Sequence, residues 1–210
     1  MSTRTDLELT VAWQAGDRSA GNELVRRHTR SVYNFLRNKV PERSLVDLQQ
    51  EVFEECVGSI GRLREGDKFL PFLMGIAYHR LKDFYRKRSR KPDLVDAELL
   101  AFSVEDHGAG ASTLVAKREH LQILLDSLRR LSMESQTVLE LYYWEDMSGR
   151  EIGEVLDVPE ATVRGKIAAA RKRLAEAIQT ATAGKATLDG LEEELKAWIR
   201  EVRDRFPENS

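Results

Sequence analysis

Two runs of the chain carry cations at a density suited to holding phosphate. From His79 to Lys91 lie Arg80, Lys82, Arg86, Lys87, Arg88, Arg90 and Lys91, against the single acid Asp83. From Thr162 to Leu174, "TVRGKIAAARKRL" supplies Arg164, Lys166, Arg171, Lys172 and Arg173. The chemistry open to such groups is electrostatic: ammonium and guanidinium side chains displace the counterions of a polyanion and grip its phosphates. Net charge conceals this, because 33 Lys and Arg against 35 Asp and Glu leave only -2, whereas phosphate meets local patches. Between the two runs the sign reverses at Asp93, Asp96, Glu98, Glu105 and Asp106. Two basic modules on either side of an acidic connector are predicted.

Covalent chemistry has little to work with. The sequence has no Gly-rich phosphate loop, nucleophile elbow or paired metal-ligand motif, so neither an enzyme nor a bound cofactor is expected. His28, His79, His107 and His120 do not cluster with the one cysteine, Cys56, at ligand spacing. A single cysteine excludes an internal disulfide and reads as a buried, inert thiol. No stretch approaches the apolar length of a membrane span, and Asp6 and Glu8 stand where a signal peptide would turn basic and then apolar. A cytoplasmic protein without membrane insertion is expected.

Helices must position the two basic runs. In the N-terminal half, Leu24, Val25, His28, Val32, Phe35 and Leu36 recur at helical intervals, as do Leu45, Leu48, Val52 and Phe53, then Phe69, Phe72, Leu73, Ile76, Ala77, Leu81 and Phe84. Hardly any run alternates with period two, which predicts an all-α fold. Pro92 and then "EDHGAGAST", Glu105 to Thr113, mark a flexible connector. The organisation predicted is a helical bundle over 1–91, an acidic linker over 92–113, a smaller helical domain over 114–180 and a C-terminal extension over 181–210.

The second domain reads in more detail. A helix carrying Leu121, Leu124, Leu125, Leu128 and Leu131 stops near Ser132, which can cap the next one, through Val138, Leu139, Leu141 and Tyr142. In "MSGREIGEVLDVPEATVRGKI", Ser148 and Glu151 have capping-box spacing, Ile152, Val155 and Leu156 form an apolar stripe, "DV" is a tight connection and Pro159 suits a helix start. This predicts a helix-turn-helix with the basic run as its second helix. At about 100° per residue, Val163, Ile167, Ala170, Leu174 and Ile178 share one arc. Thr162, Gly165, Ala168, Ala169 and Lys172 face away from it, flanked by Arg164 and Lys166. A solvated helix in an ordinary bundle has the same spacing, so this segment by itself leaves both readings open.

The order of motifs along the chain resembles the extracytoplasmic-function (group 4) sigma factors of the bacterial sigma-70 family. "LVRRHTRSVYNFLRNKV" is similar to their first helix, "VDLQQEVFEECV" to their D-L-x-Q-E-x-F core-binding helix, and "FLPFLMGIAYHRLKDFYRKRSR" to their promoter-opening helix. "LRRLSMESQTVLELYYWEDMSGREIGEVLDVPEATVRGKIAAARKRL" is similar to their domain-4 signature. The likeness spans roughly residues 6–178. It implies an alternative sigma factor with core RNA polymerase as partner, through the beta-prime clamp helices and the beta flap, with promoter DNA as ligand, and with an anti-sigma factor or other regulator.

By the same resemblance Asp47, Leu48, Gln50, Glu51 and Phe53 match the polymerase-binding positions. Ser44, Leu45 and Val46 stand where family members often carry further acids, which predicts weakened core binding. His79, Arg80, Asp83, Arg86 and Lys87 match the -10 contacts, with Phe72 for the usual tryptophan and His79 for the usual asparagine. Phe69, Phe72, Ile76 and Phe84 have core spacing and are assigned mostly to packing. Thr162, Arg164, Gly165, Lys166, Ala168, Ala169 and Lys172 match the -35 face, where such small residues predict close approach with little direct base reading.

Two regulatory positions stand out. Ser44 is placed to cap the helix containing Asp47, and a phosphate there would add about -1.5 to -2 charges beside that carboxylate. Beyond residue 180 the resemblance ends, yet Leu188, Leu191, Leu195, Trp198 and Val202 repeat at three and four. They describe an amphipathic helix that needs a partner surface, packed on one of the domains or acting as a clasp that controls access. Two other binding readings remain: a helix-turn-helix regulator acting without polymerase, and a sigma-like decoy for an anti-sigma factor.

Overall fold

The computed structural model describes residues 4–64, 68–88, 123–124 and 126–182. Every regular element among the described residues is helical. Compactness divides them into two units, 4–88 with 150–159, and 123–149 with 160–182. The predicted 92–113 linker and Trp198 lie outside the described residues.

The first unit is built from α1 (Asp6–Gln14), α2 (Arg18–Arg37), α3 (Glu42–Ser59) and α4 (Phe69–Arg88). Thr5 and Glu8 close a capping box at the start of α1: the Glu8 carboxylate accepts from the Thr5 amide at 2.7 Å, and the Thr5 hydroxyl accepts from the Glu8 amide at 3.3 Å. The Asp17 carboxylate caps α2, accepting from the amides of Ser19 and Ala20 at 2.9 and 3.2 Å. Where α1 crosses α2, a Cβ on Gly21 would fall 2.5 Å from the Trp13 ring, so only glycine permits that approach.

Leu24, Val32, Leu36, Val52, Cys56, Leu73, Ala77 and Leu81 form a core closed to solvent. Burial pushes the Cys56 thiol up to about 12, well outside the reactive range. Phe69, at the head of α4, packs its ring on Trp13 and His28 at 6.1 and 5.4 Å. The Gln14 amide donates to the carbonyls of Ile60 and Leu63 at 2.9 and 2.8 Å, fastening the 3-10 turn Ile60–Arg62 to α1. Asp6 joins α1 to α2 through His28 Nε2 at 2.6 Å and Arg27 at 2.9 Å. The His28 hydrogen bond is the main reason that its carboxyl lies below the usual range.

One expectation fails here. Ser44 does not cap α3: Pro41 holds the cap position in an extended conformation, with no side-chain hydrogen bond, and Ser44 is already inside the first turn. The proline carbonyl accepts from the Ser44 amide at 2.8 Å, and the fixed proline φ is compatible with the extended approach to the helix.

The remaining elements are α5 (Met133–Tyr143), α6 (Gly149–Leu156) and α7 (Glu160–Ala181). Ser132 caps α5 by accepting from the Ser135 amide at 3.3 Å. Leu124, Leu128, Leu131, Leu139 and Tyr143 pack with Ala170, Leu174 and Ile178 of α7 as the core of the second unit. Between α6 and α7 the chain turns at Asp157, whose φ of 56° is left-handed, and Pro159 directly precedes α7. Within the first unit α6 buries Ile152, Gly153, Val155 and Leu156, and its Glu151 pairs with Lys68 at 2.8 Å.

Candidate nucleic-acid and protein interfaces

On α3, helical rotation separates a buried side from an outward one. Asp47, Gln50, Glu51 and Glu54 are exposed and Phe53 is half-buried, with Val46 and Val57 exposed at 68% and 55%. The outward side is therefore an apolar stripe, Val46–Phe53–Val57, edged by three carboxylates. Leu48 does not belong to it: one residue on from Asp47, it turns into the core at 4% exposure. Glu54 and Val57 were not among the residues singled out from sequence, and Val46 was noted only for lacking an acid, although Glu54 lies two helical turns from Asp47 and the valines follow the same period. The Gln50 amide donates to Glu54 at 2.8 Å. On the other edge, Gln49 donates to the Thr29 carbonyl of α2 at 2.8 Å.

On α4, burial of Leu73, Ala77 and Leu81 turns the polar residues of the last turns outward. His79, Arg86, Lys87 and Arg88 are exposed, and the Arg88 guanidinium lies 5.0 Å from the Phe84 ring centre. Arg80 differs, because its side chain reaches back to Glu55 of α3, a hydrogen bond that raises its pKa further. Asp83 pairs with Arg86 at 2.7 Å, so the only carboxylate in the run answers one of its cations. Phe69 and Ile76 are core residues and Phe72 and Phe84 are half-buried, in keeping with packing as their main role.

On α7, Val163, Ile167, Ala170, Leu174 and Ile178 are all buried, which fixes the rotation of the helix. Thr162, Arg164, Gly165, Ala168, Ala169 and Lys172 are exposed together. A Cβ on Gly165 would meet nothing within 4 Å, so the face is low and open, with Arg164 and Lys172 at its borders. Arg164 sits 3.7 Å from Glu160, both largely exposed, an arrangement that leaves the guanidinium free to swing to a phosphate. Lys166 departs from this set: it is half-buried and paired with Glu134 of α5. Arg173 donates to the Ser135 hydroxyl at 3.2 Å, and Arg171 stacks beside Tyr142 and Tyr143 at 5.3 and 5.4 Å. Part of the basic run thus holds α7 to α5, and the rest faces outward. The pairs Arg80–Glu55 and Lys166–Glu134 join residues 25 and 32 positions apart, where local spacing offers no signal.

Comparison with known proteins gives these faces a context. Residues 24–91 match the family described as Sigma-70 region 2, and residues 121–174 match Sigma-70, region 4. The chain is 28% identical over 183 residues to the ECF RNA polymerase sigma-E factor of Haemophilus influenzae, an alignment covering 83% of this chain and 96% of that protein. It is 27% identical over 181 residues to the sigma-E factor of Escherichia coli, covering 83% and 95%. Its fold is similar to that of CnrH solved in complex with the cytosolic domain of CnrY, with a TM-score of 0.61, 23% identity, and coverage of 83% of this chain and 97% of that one.

Proposed function

Because the chain belongs to the extracytoplasmic-function branch of the sigma-70 family, we propose that it joins core RNA polymerase as an alternative sigma factor and gives it a promoter. The observation that carries this is the coincidence of each family match with one suitable face. Region 2 spans α3 and α4 with their acidic-apolar and basic surfaces, and region 4 spans α5, α6 and most of α7 with the open outer face of α7.

Each face has a physical role in that reading. The α3 stripe presents apolar surface for burial, and Asp47, Glu51 and Glu54 beside it select a basic partner helix; this is the polymerase-facing helix, toward the beta-prime clamp. The acids that the family often has before Asp47 are absent, but Val46 places apolar surface there instead. On α4, His79, Arg86 and Lys87 track the backbone of the -10 strand, with Arg80 held at the α3 border. On α7, Arg164 and Lys172 hold phosphates at the -35 element while Gly165, Ala168 and Ala169 admit the backbone closely. Few long side chains reach base edges, so DNA shape and the -10 contacts supply much of the selectivity.

The protein itself breaks and makes no covalent bond; its effect is to place polymerase and help open the duplex. It acts in the cytoplasm with polymerase and DNA, and no helix among the described residues is long and apolar enough to cross a membrane. An anti-sigma protein is the regulator this reading anticipates, supported by a relative of the same fold solved with a protein partner. Transcription in vitro with core polymerase on a randomised promoter pool tests the function. Initiation that depends on this chain is expected, and its absence would overturn the reading.

A further inference from the structure

The cations of α2 form no run in the sequence, and it is the turn of the helix that gathers them. At about 100° per residue, Arg26, Arg30, Tyr33 and Arg37 fall within about 60° of arc, directly opposite the buried Leu24, Val32 and Phe35. All four are exposed, and the row extends about 16 Å along the axis. The Arg37 guanidinium stands 6.0 Å from the centre of the Tyr33 ring. Glu23, the one acid of α2, lies at the edge of the row and is shared between Arg26 and Arg27 at 2.9 and 3.0 Å. Three guanidiniums against that carboxylate leave the row net positive.

The composition of this face sets it apart from the outward side of α3. There Val46, Phe53 and Val57 offer apolar surface. On α2 the remaining outward positions are Ser19, Asn22, Thr29 and Asn34, all exposed, so a protein partner would find little carbon surface to bury. Hydroxyls, amides and guanidiniums are instead the groups that contact phosphate and sugar, and cations alternating with an aromatic ring hold an unpaired strand, with its phosphates on the cations and a base on the ring. The place on the bundle suits a strand as well. The Tyr85 hydroxyl donates to the Lys39 carbonyl, which fixes the end of α4, with Lys87 and Arg88, beside the end of α2 just beyond Arg37. A strand leaving the basic end of α4 meets Arg37 first, then Tyr33, Arg30 and Arg26.

We propose that the outward face of α2 binds single-stranded DNA, with Arg26, Arg30 and Arg37 on its phosphates and a base stacked on Tyr33. The site is additional to the faces of α4 and α7. Its supply of unpaired strand rests on the reading of α4 as the helix that tracks the opened -10 strand. A duplex offers the row phosphates but keeps its bases stacked inside, so Tyr33 separates the two forms of DNA.

The test is fluorescence anisotropy of the full-length chain with a labelled strand of about 20 thymidines, over a range of salt, beside a duplex of the same length. Replacing Arg26→Gln, Arg30→Gln and Arg37→Gln together should weaken single-strand binding by about tenfold or more and flatten the log-log salt slope by about 2, the share of three phosphates. Tyr33→Ala should weaken it by about fivefold or more without changing the slope, should leave the duplex unaffected, and should be rescued by Tyr33→Phe. All of these residues are exposed, and thermal melting checks that each variant is folded. A parent chain that does not bind the strand, or a triple variant with unchanged affinity and slope, would overturn the proposal. So would equal losses on strand and duplex with Tyr33→Ala neutral, which would make the ligand a duplex backbone. A triple variant that keeps its DNA affinity but loses core polymerase would assign the row to an acidic protein surface. Arg86→Gln with Lys87→Gln, measured in parallel, keeps the two readings apart: loss there alone removes the α2 site and leaves α4, and loss with the α2 variants alone does the reverse.

Discussion

Gly165→Ala separates the needs of the folded chain from those of a bound partner. Glycine inside an exposed helix costs roughly 0.5–1 kcal/mol relative to alanine, and a Cβ at 165 would meet nothing within 4 Å. The free protein therefore gains by the substitution, about 3–6 °C in the melting temperature of a unit of this size. Against DNA the sign reverses. If the backbone of α7 lies close to a sugar-phosphate strand at that point, the methyl group enters an occupied space at a cost of about 1–3 kcal/mol, or roughly 5- to 150-fold in affinity. The assay is thermal melting of the full chain together with fluorescence anisotropy on a duplex containing its -35 element, at several salt concentrations. Arg164 and Lys172 are untouched, so the salt slope should stay the same while the affinity falls. A stabilised variant with unchanged affinity would show that this face does not meet DNA closely. A destabilised variant would refute the packing argument itself.

Other consequences follow from single contacts. Asp6→Asn removes the α1–α2 link and should lower stability by about 1 kcal/mol, a value discounted for partial exposure. Because the native carboxyl lies below 3.8, its contribution is present above that value and vanishes as pH falls through the native pKa. The difference in urea midpoint between the parent and Asp6→Asn should thus shrink as pH falls below about 5; a difference that stays unchanged from about pH 5 down to about pH 2 would contradict the assignment. Glu55→Gln frees Arg80, so stability should fall by no more than about 1 kcal/mol, and the salt dependence of DNA binding should steepen by nearly one phosphate contact. An unchanged slope would leave Arg80 a purely structural residue. Ser44→Asp puts an acid in the first turn of α3, which favours the helix by about 0.3–1 kcal/mol and adds charge near Asp47. Tighter binding to core polymerase is expected, and unchanged or weaker binding would remove Ser44 as a regulatory position.

The sequence was most informative where one period governs a whole helix. Val163, Ile167, Ala170, Leu174 and Ile178 share an arc by spacing, and each is buried, so the outward set on α7 follows by rotation alone. Lys166 is the exception, because its direction is decided by Glu134 on another helix and spacing within α7 carries no information about that partner. Arg80 and Glu55 illustrate the same limit. On α3 the acidic positions could be read from the motif. The apolar stripe that they border was harder to see, because Val46 and Val57 also fit a helix core and only their exposure distinguishes them. The start of α3 was misplaced because serine is a favoured cap residue while proline makes no capping hydrogen bond; the backbone geometry of Pro41 decided it.

The Gln14 amide, bound to the carbonyls of Ile60 and Leu63, ties the N-terminal helix to the 3-10 turn. Since Trp13, next to it, also supports the Phe69 ring, α1, the 3-10 turn and the first turn of α4 form one cooperative unit of opening. Their amide protons should exchange together, at a rate set by the release of α1. The residues Ile60 to Leu63, ahead of α4, are thereby held by a side chain nearly fifty positions earlier in the chain.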